Sequence, residues 1–321
     1  MKKYLCLILA LAMLLLPGCG NNQEDAAQTQ MPTESTAPEE TVPQWTTFPA
    51  DRKLTARQYF VYDCQADEFV KTSGDVGQRV YPASITKLFS AYVAGQYLHK
   101  ERSITVGASL DLVHAGSSVA GLKKGNKVMV GQLIEGMMLP SGNDAAYVLA
   151  VEAGRELAGK SVSTREAVDA FVAEMNRQAK ILGMTDTKFA NPDGIHSTEH
   201  YSTFRDLARL AVLALEDPVI MQYVATQQDS LTLSGNELQW ENTNALIRED
   251  SPYYCPYAIG LKTGQTPSAG SCLLSAFQYE GRTLIVGVFG CPEVEDRFAD
   301  TLQLFNETIG YQPIPGAVTE E

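Results

Sequence analysis

Ser84 and Lys87 stand three residues apart, where Pro82-Ala83 opens an apolar stretch that runs to about Leu98. On a helix, residues at that spacing share a face, so a hydroxyl and an amine placed there can meet. A free serine is a poor nucleophile and requires a base. A lysine serves as that base only when burial or a nearby cation lowers its pKa. Ile85, Leu88 and Phe89 predict a buried helix, which favours the neutral amine. Alone, Ser-x-x-Lys is a weak pattern that a helix-capping serine and a solvated lysine satisfy equally well.

Ser141-Gly142-Asn143 falls between two helical stretches, about 131–139 and 144–157. A second hydroxyl and a carboxamide on a tight connection can relay a proton and hold a substrate amide. The triplet recurs at Ser234-Gly235-Asn236, but there Leu231-Thr232-Leu233 and Leu238-Gln239-Trp240 flank it, which predicts a hairpin turn. Lys262-Thr263-Gly264 ends a strand that begins near Tyr257. A cation and a hydroxyl on a strand edge suit a substrate carboxylate, and the glycine leaves room for a ligand backbone.

The elements around these residues follow from periodicity. Gln58 to Cys64 is dense in aromatic and β-branched residues and predicts a strand. Val168, Phe171, Val172, Met175, Ala179 and Leu182 recur at helical steps. A further helix starts near Ser202-Thr203, which can cap it. Strands return at 257–263, 272–279 and 283–290, the last two joined through Glu280-Gly281-Arg282 as a hairpin. One early strand, a helical middle and a late run of strands predict an α+β domain. The first strand must return to the late sheet, leaving a cleft between sheet and helical insertion as the natural site.

Taken together, Ser84-x-x-Lys87, Ser141-x-Asn143 and Lys262-Thr263-Gly264 resemble the three elements of the penicillin-recognising serine enzymes, in order and in setting, with 57 residues from Ser84 to Ser141. The flanks narrow the resemblance to the low-molecular-mass D-Ala-D-Ala carboxypeptidases, peptidase family S11. They include Pro82 to Leu88, Leu139 to Ala146, Gly260 to Gly264, Asn191-Pro192-Asp193-Gly194, His200-Tyr201-Ser202-Thr203 and Arg297 to Thr301, spread over about 54–311. The resemblance implies a β-lactamase/DD-peptidase-like fold, an antiparallel sheet of about five strands flanked by helices with an inserted helical subdomain. It implies attack by Ser84 on the bond between two D-alanines of a peptidoglycan stem peptide, with Lys87 as base and Ser141 as proton relay. Asn143 would hold the substrate amide, and Lys262, Thr263 and Gly264 the terminal carboxylate end. Backbone N–H groups of Ser84 and Gln265 would form the oxyanion hole. Gln265 departs from the family, where His, Tyr or Phe is commoner. β-Lactam antibiotics are the implied covalent inhibitors, and no cofactor or metal is implied.

Three other readings stand beside this one. His196-Ser197-Thr198-Glu199-His200 matches H-x-x-E-H, a zinc-peptidase pattern. It follows the turn Asn191 to Gly194 and precedes the helix at Ser202-Thr203, so a loop rather than a helix is expected, with no third ligand evident. A class A β-lactamase would place a deacylating Glu in an E-x-x-L-N context, which does not occur after Ser141. A non-catalytic scaffold that kept the fold would be expected to have lost residues that are all present here.

The 321 residues are 45% hydrophobic and 20% charged, with a net charge of −13. A core is available, and nucleic acid is a poor partner for so acidic a chain. Lys2-Lys3, the apolar run 4–17 and Gly18-Cys19 predict a secretory signal over 1–18. The run is short of the roughly 20 residues that span a bilayer. Cys19 sits as in a bacterial lipobox, which implies a lipid-anchored, extracytoplasmic protein. Residues 19–53 predict a disordered Thr/Pro/Gln-rich tether, 54–311 the peptidase domain and 312–321 a tail too short for the β-rich domain and anchoring helix of many relatives. Four cysteines would remain after export and lipidation. Cys272 opens one hairpin strand and Cys291 closes the other, which predicts a disulfide, with buried free thiols as the alternative.

Overall fold

The computed structural model describes Trp45, Phe48 and residues 52–310. The predicted signal, Cys19, most of the tether and the tail 312–321 lie outside the described residues. Strands form where β-branched and aromatic residues concentrate: β1 (Gln58–Asp63), β2 (Glu68–Thr72), β3 (Arg79–Val80), β4 (Ser103–Thr105), β5 (Lys127–Met129), β6 (Ser202–Thr203), β7 (Gln228–Leu233), β8 (Asn236–Glu241), β9 (Ala258–Thr266), β10 (Gly270–Tyr279) and β11 (Arg282–Cys291). The helices are α1 (Thr86–Gly95), α2 (Val130–Met138), α3 (Asn143–Ala158), α4 (Thr164–Ile181), α5 (Phe204–Glu216), α6 (Pro218–Val224) and α7 (Asp296–Ile309).

Five strands make the main antiparallel sheet in the order β2-β1-β11-β10-β9. The early strand does return to the late ones: β1 pairs along β11, Tyr59 opposite Val288 and Val61 opposite Val286. Glu280 and Gly281 link β10 to β11 with φ of 48° and 77°. Two left-handed residues in a two-residue loop match the twist of the strands they join. Ser234 and Gly235 do the same for β7 and β8, so this second Ser-Gly-Asn is a hairpin turn as expected.

Both faces of the sheet are covered. On one, Phe60 and Phe289 stack against Phe204 of α5, within the core that also contains α1 to α4. On the other, Phe277 stacks on Phe305 of α7 at 4.2 Å. Helix starts are secured by side chains: Ser163 accepts from Glu166 N in a capping box, and Thr203 accepts from Asp206 N, as the sequence predicts for that helix.

Three expectations need correction. The domain begins earlier than Leu54. Trp45 is buried, donates from Nε1 to Asn306 Oδ1 at 2.9 Å and meets Tyr257 edge-on, while Arg52 reaches Asp300 at 2.6 Å. The polar composition of 19–53 conceals an indole with enough apolar surface to dock on α7. Second, β9 continues through Gly264 to Thr266, so the glycine lies within the strand. Third, Cys272 and Cys291 are free thiols. Cys291 lies opposite Ser271, not Cys272. An offset of one residue turns side chains to opposite faces of a sheet, so Cys272 packs with the helical layer and Cys291 with α7.

Candidate active site

Ser84 sits in a short 3-10 turn, Ala83–Ile85, that runs directly into α1. Ala83 has φ of +48°, a conformation that costs a non-glycine residue about 1–2 kcal/mol and is often held at functional sites. Lys87 is the second residue of α1, and its Nζ lies 2.7 Å from Ser84 Oγ, as the three-residue spacing predicts. The helix is enclosed, Lys87 included. Burial pushes the amine down from 10.5 to about 8, against the opposing pull of Asp193 and Asp144. Nζ also donates to the carbonyl of Asp193 at 2.8 Å. Gly194, beside it with φ of +88°, fits so tightly that an added Cβ would stand 1.9 Å from the Ala83 carbonyl oxygen.

The Ser141 connection joins α2 to α3. Ser141 is left-handed (φ +60°), and its carbonyl accepts from Ser118 Oγ at 2.8 Å. Asn143 donates its backbone N–H to Ser118 O at 2.9 Å. The next residue, Asp144, accepts from the N–H groups of Ala120, Gly121 and Leu122 at 2.7, 2.9 and 3.0 Å. A loop from another part of the chain is thereby fixed as the wall of the cleft, and Trp240 Nε1 ties it again at Ala120 O. Asn143 Oδ1 is buried without a hydrogen-bond partner among the described residues.

On the opposite wall lies β9, an edge strand. A Cβ on Gly264 would lie 2.8 Å from Pro82 O and 3.0 Å from Ser84 N, so glycine lets the strand approach the nucleophile turn. Lys262 is buried; its Nζ is 3.3 Å from Thr263 O and 3.5 Å from Thr263 Oγ1. Burial first, then the charges of Lys87 and Arg297, hold that amine well below its ordinary range. Thr263 Oγ1 is 2.6 Å from Thr243 Oγ1. Arg297, from α7, completes this end. It is buried, and neither its Nε nor the Oγ of Ser271 has a hydrogen-bond partner among the described residues. Burial lowers its guanidinium to about 10.

These pieces enclose one cleft of about 760 Å³, lined by Ser84, Ser141, Asn143, Thr263, Gln265 and Arg297 among others. Every motif residue expected from the sequence lines this cleft or, like Lys87 and Lys262, is bonded to one that does. Arg297, Thr243 and Asp144 were present in the sequence without any spacing to give them a role. The H-x-x-E-H residues disperse instead. His196 stands edge-on to Tyr81, and Glu199 pairs with Lys188. His200 is buried, with Nε2 2.8 Å from Thr86 Oγ1 and Nδ1 accepting from Ala190 N. Burial holds it at about 4, hence neutral. With both ring nitrogens engaged it has no lone pair to offer a metal.

A serine activated by a buried amine, facing a strand edge and cations, can carry out acyl transfer at a substrate ending in a carboxylate. A profile of the Peptidase_S11 family, D-alanyl-D-alanine carboxypeptidase, matches residues 45–293. The D-alanyl-D-alanine carboxypeptidase of Streptomyces sp. (strain K15) is 36% identical over 233 residues, covering 70% of this chain and 77% of the relative. DacF of Bacillus subtilis (strain 168), also a D-alanyl-D-alanine carboxypeptidase, is 30% identical over 233 residues, 71% of this chain but 56% of its own length. The crystal structure of the Streptomyces K15 DD-transpeptidase superposes with a TM-score of 0.72 at 30% identity, covering 83% of this chain and 100% of that one. With the β-lactamase-like fold and all three motifs in one cleft, the chain belongs to the D-alanyl-D-alanine carboxypeptidases of peptidase family S11.

Proposed function

We propose that the protein removes the terminal D-alanine from peptidoglycan stem peptides through an acyl-enzyme on Ser84. The observation that carries this reading is the 2.7 Å contact between Ser84 Oγ and a buried lysine amine lowered to about 8. At pH 7 roughly a tenth of such amines are neutral and able to accept a proton. Ser84 Oγ attacks the carbonyl between the two D-alanines as its proton passes to Lys87. The N–H groups of Ser84 and Gln265 stabilise the oxyanion, a contribution of about 3–4 kcal/mol for one donor. Asn143 holds the substrate amide, and Ser141 Oγ hands a proton to the leaving amine. The unpaired Arg297 Nε and Ser271 Oγ, with Lys262 and Thr263, support binding of the terminal carboxylate. Water then releases the shortened peptide. A β-lactam would acylate Ser84 in the same way.

The lipobox-like Cys19 and the signal before it support an extracytoplasmic protein held to the membrane by an N-terminal lipid. One experiment tests both parts. Fractionated cells are labelled with a fluorescent penicillin, and purified protein is mixed with a D-Ala-D-Ala peptide. The wild type should label in the membrane fraction and release D-alanine, Cys19→Ser should label in the soluble fraction, and Ser84→Ala should do neither reaction. Release of D-alanine by Ser84→Ala would overturn the mechanism.

A further inference from the structure

The loop Asn191 to Gly194 does more than support the nucleophile turn. The carbonyl of Asp193 accepts from Lys87 Nζ at 2.8 Å and lies 3.4 Å from Ser84 Oγ. The residue is 1% exposed. One carboxyl oxygen, Oδ1, accepts a long bond from Ile195 N at 3.3 Å, while Oδ2 is buried without a hydrogen-bond partner among the described residues. Burial pushes this carboxyl above the ordinary carboxylate range, and the charge of Lys87 is the strongest influence holding it ionised against that cost.

Lys87 and Asp193 are each the opposite charge that acts most strongly on the other. The remaining groups do not replace that pairing. Lys87 also faces Asp144, whose carboxylate already accepts from three N–H groups of the cleft wall, and it lies near Lys262 and His200. Asp193 also faces His114 and Tyr147. The loop holds the carboxyl in place: Asn191 Oδ1 accepts from Gly194 N at 2.8 Å, Ser90 Oγ donates to Pro192 O at 2.6 Å, and Gly194 is wedged against Ala83.

We propose that Asp193 is a positioning residue of the reaction, its buried carboxylate stabilising the ammonium that Lys87 becomes on taking the Ser84 proton. This rests on Lys87 being the base. In that step the Ser84 O–H bond breaks, an N–H bond forms on Lys87, and the serine oxygen bonds to the substrate carbonyl. The positive charge appears on the amine bonded to the Asp193 carbonyl, with the Asp193 carboxylate acting on it from beyond direct ion-pair distance, and leaves when the proton moves on through Ser141 to the departing amine. Asp193 neither gives nor takes a proton.

The test is the pH profile of acylation by a fluorescent penicillin, wild type beside Asp193→Asn, which keeps the shape and an acceptor for Ile195 N. The wild-type rate should rise with pH through about 8. In Asp193→Asn the midpoint should fall by about one pH or more, and the maximal rate by on the order of tenfold or more. The concentration giving half-maximal rate should stay near wild type. Asp193→Glu, which keeps the charge, should bring the midpoint back toward the wild-type value. If the asparagine chain does not fold, Asp193→Ser is read in its place. An unchanged midpoint with a lower rate would show a merely structural loop and overturn the inference. A wild type that is not acylated at all would instead overturn the proposed function.

Discussion

Lys87 illustrates how a residue is made reactive at the expense of the fold. Displacing its amine from 10.5 to about 8 corresponds to on the order of 3 kcal/mol against the charged form in the folded chain. The unfolded chain holds the proton more tightly, so native stability gains as pH rises from about 8 to 10.5, and the cost is complete below 8. In Lys87→Met this dependence should vanish. Denaturant titrations at several pH values should show the wild type gaining on the variant between pH 8 and 10.5. Acylation by a penicillin should meanwhile fall by about 10²–10⁴-fold. A variant with unchanged acylation would remove Lys87 as the base. The Ser84–Lys87 pair was legible in the sequence because its geometry is local, three residues on one helix. Asp193 was not, because its contact with Lys87 closes a loop of more than a hundred residues, and no periodicity reports such a distance.

Three separate elements must meet to within a few tenths of an ångström around the Ser84 turn. The turn is backed by α1, wedged by the Asn191–Gly194 loop and faced by β9. Gly264 sets the last of these spacings, since a methyl group there would meet Pro82 O at 2.8 Å and Ser84 N at 3.0 Å. Both neighbours are backbone and cannot swing aside. Gly264→Ala should therefore push the strand outward and carry Thr263 and Gln265 with it. A misplacement approaching 1 Å costs about a hundredfold in rate, so the second-order acylation constant should drop by roughly that factor. Because β9 is an edge strand, the melting temperature should move little. Normal acylation would mean that the strand–turn spacing does not matter to the chemistry. Strand content was read well from the sequence, since 257–263 lies almost wholly within β9. What could not be read was the strand's continuation through Gly264, a residue whose propensity argues for a strand end and whose use here is close approach.

At the scale of the whole molecule, the hairpin β7–β8 lies outside the main sheet and is attached to the helical layer at several points. Trp240 bonds Ala120 O, Asn126 Nδ2 donates to Ser234 Oγ, and Asp229 meets the buried Glu135 of α2. The same attachment reaches the site, for Thr243 lies two residues after the end of β8 and bonds Thr263. None of this was visible beforehand, because a hairpin is a local signal while its docking surface is tertiary. Composition hid the start of the domain for a related reason: one docked indole, Trp45, outweighs the polar average around it. The attachment at Glu135 makes stability depend on pH. Burial, and then the hydrogen bond and charge of Asp229, raise Glu135 from 4.5 to about 8. The folded chain thus holds a proton that the unfolded chain loses near 4.5, and its stabilising effect fades as pH climbs to about 8. His200 acts oppositely, held at about 4 rather than 6.5, but its effect is complete by pH 6.5. Between pH 6.5 and 8 the Glu135 contribution should lower the unfolding free energy of the wild type, in the same direction as the raised carboxyls of Asp193 and Asp206. Glu135→Gln, which donates to Asp229 at every pH, should flatten the fall. Parallel slopes for the two proteins would mean that Glu135 is ionised throughout and that the hairpin is held by Trp240 and Asn126 without the shared proton.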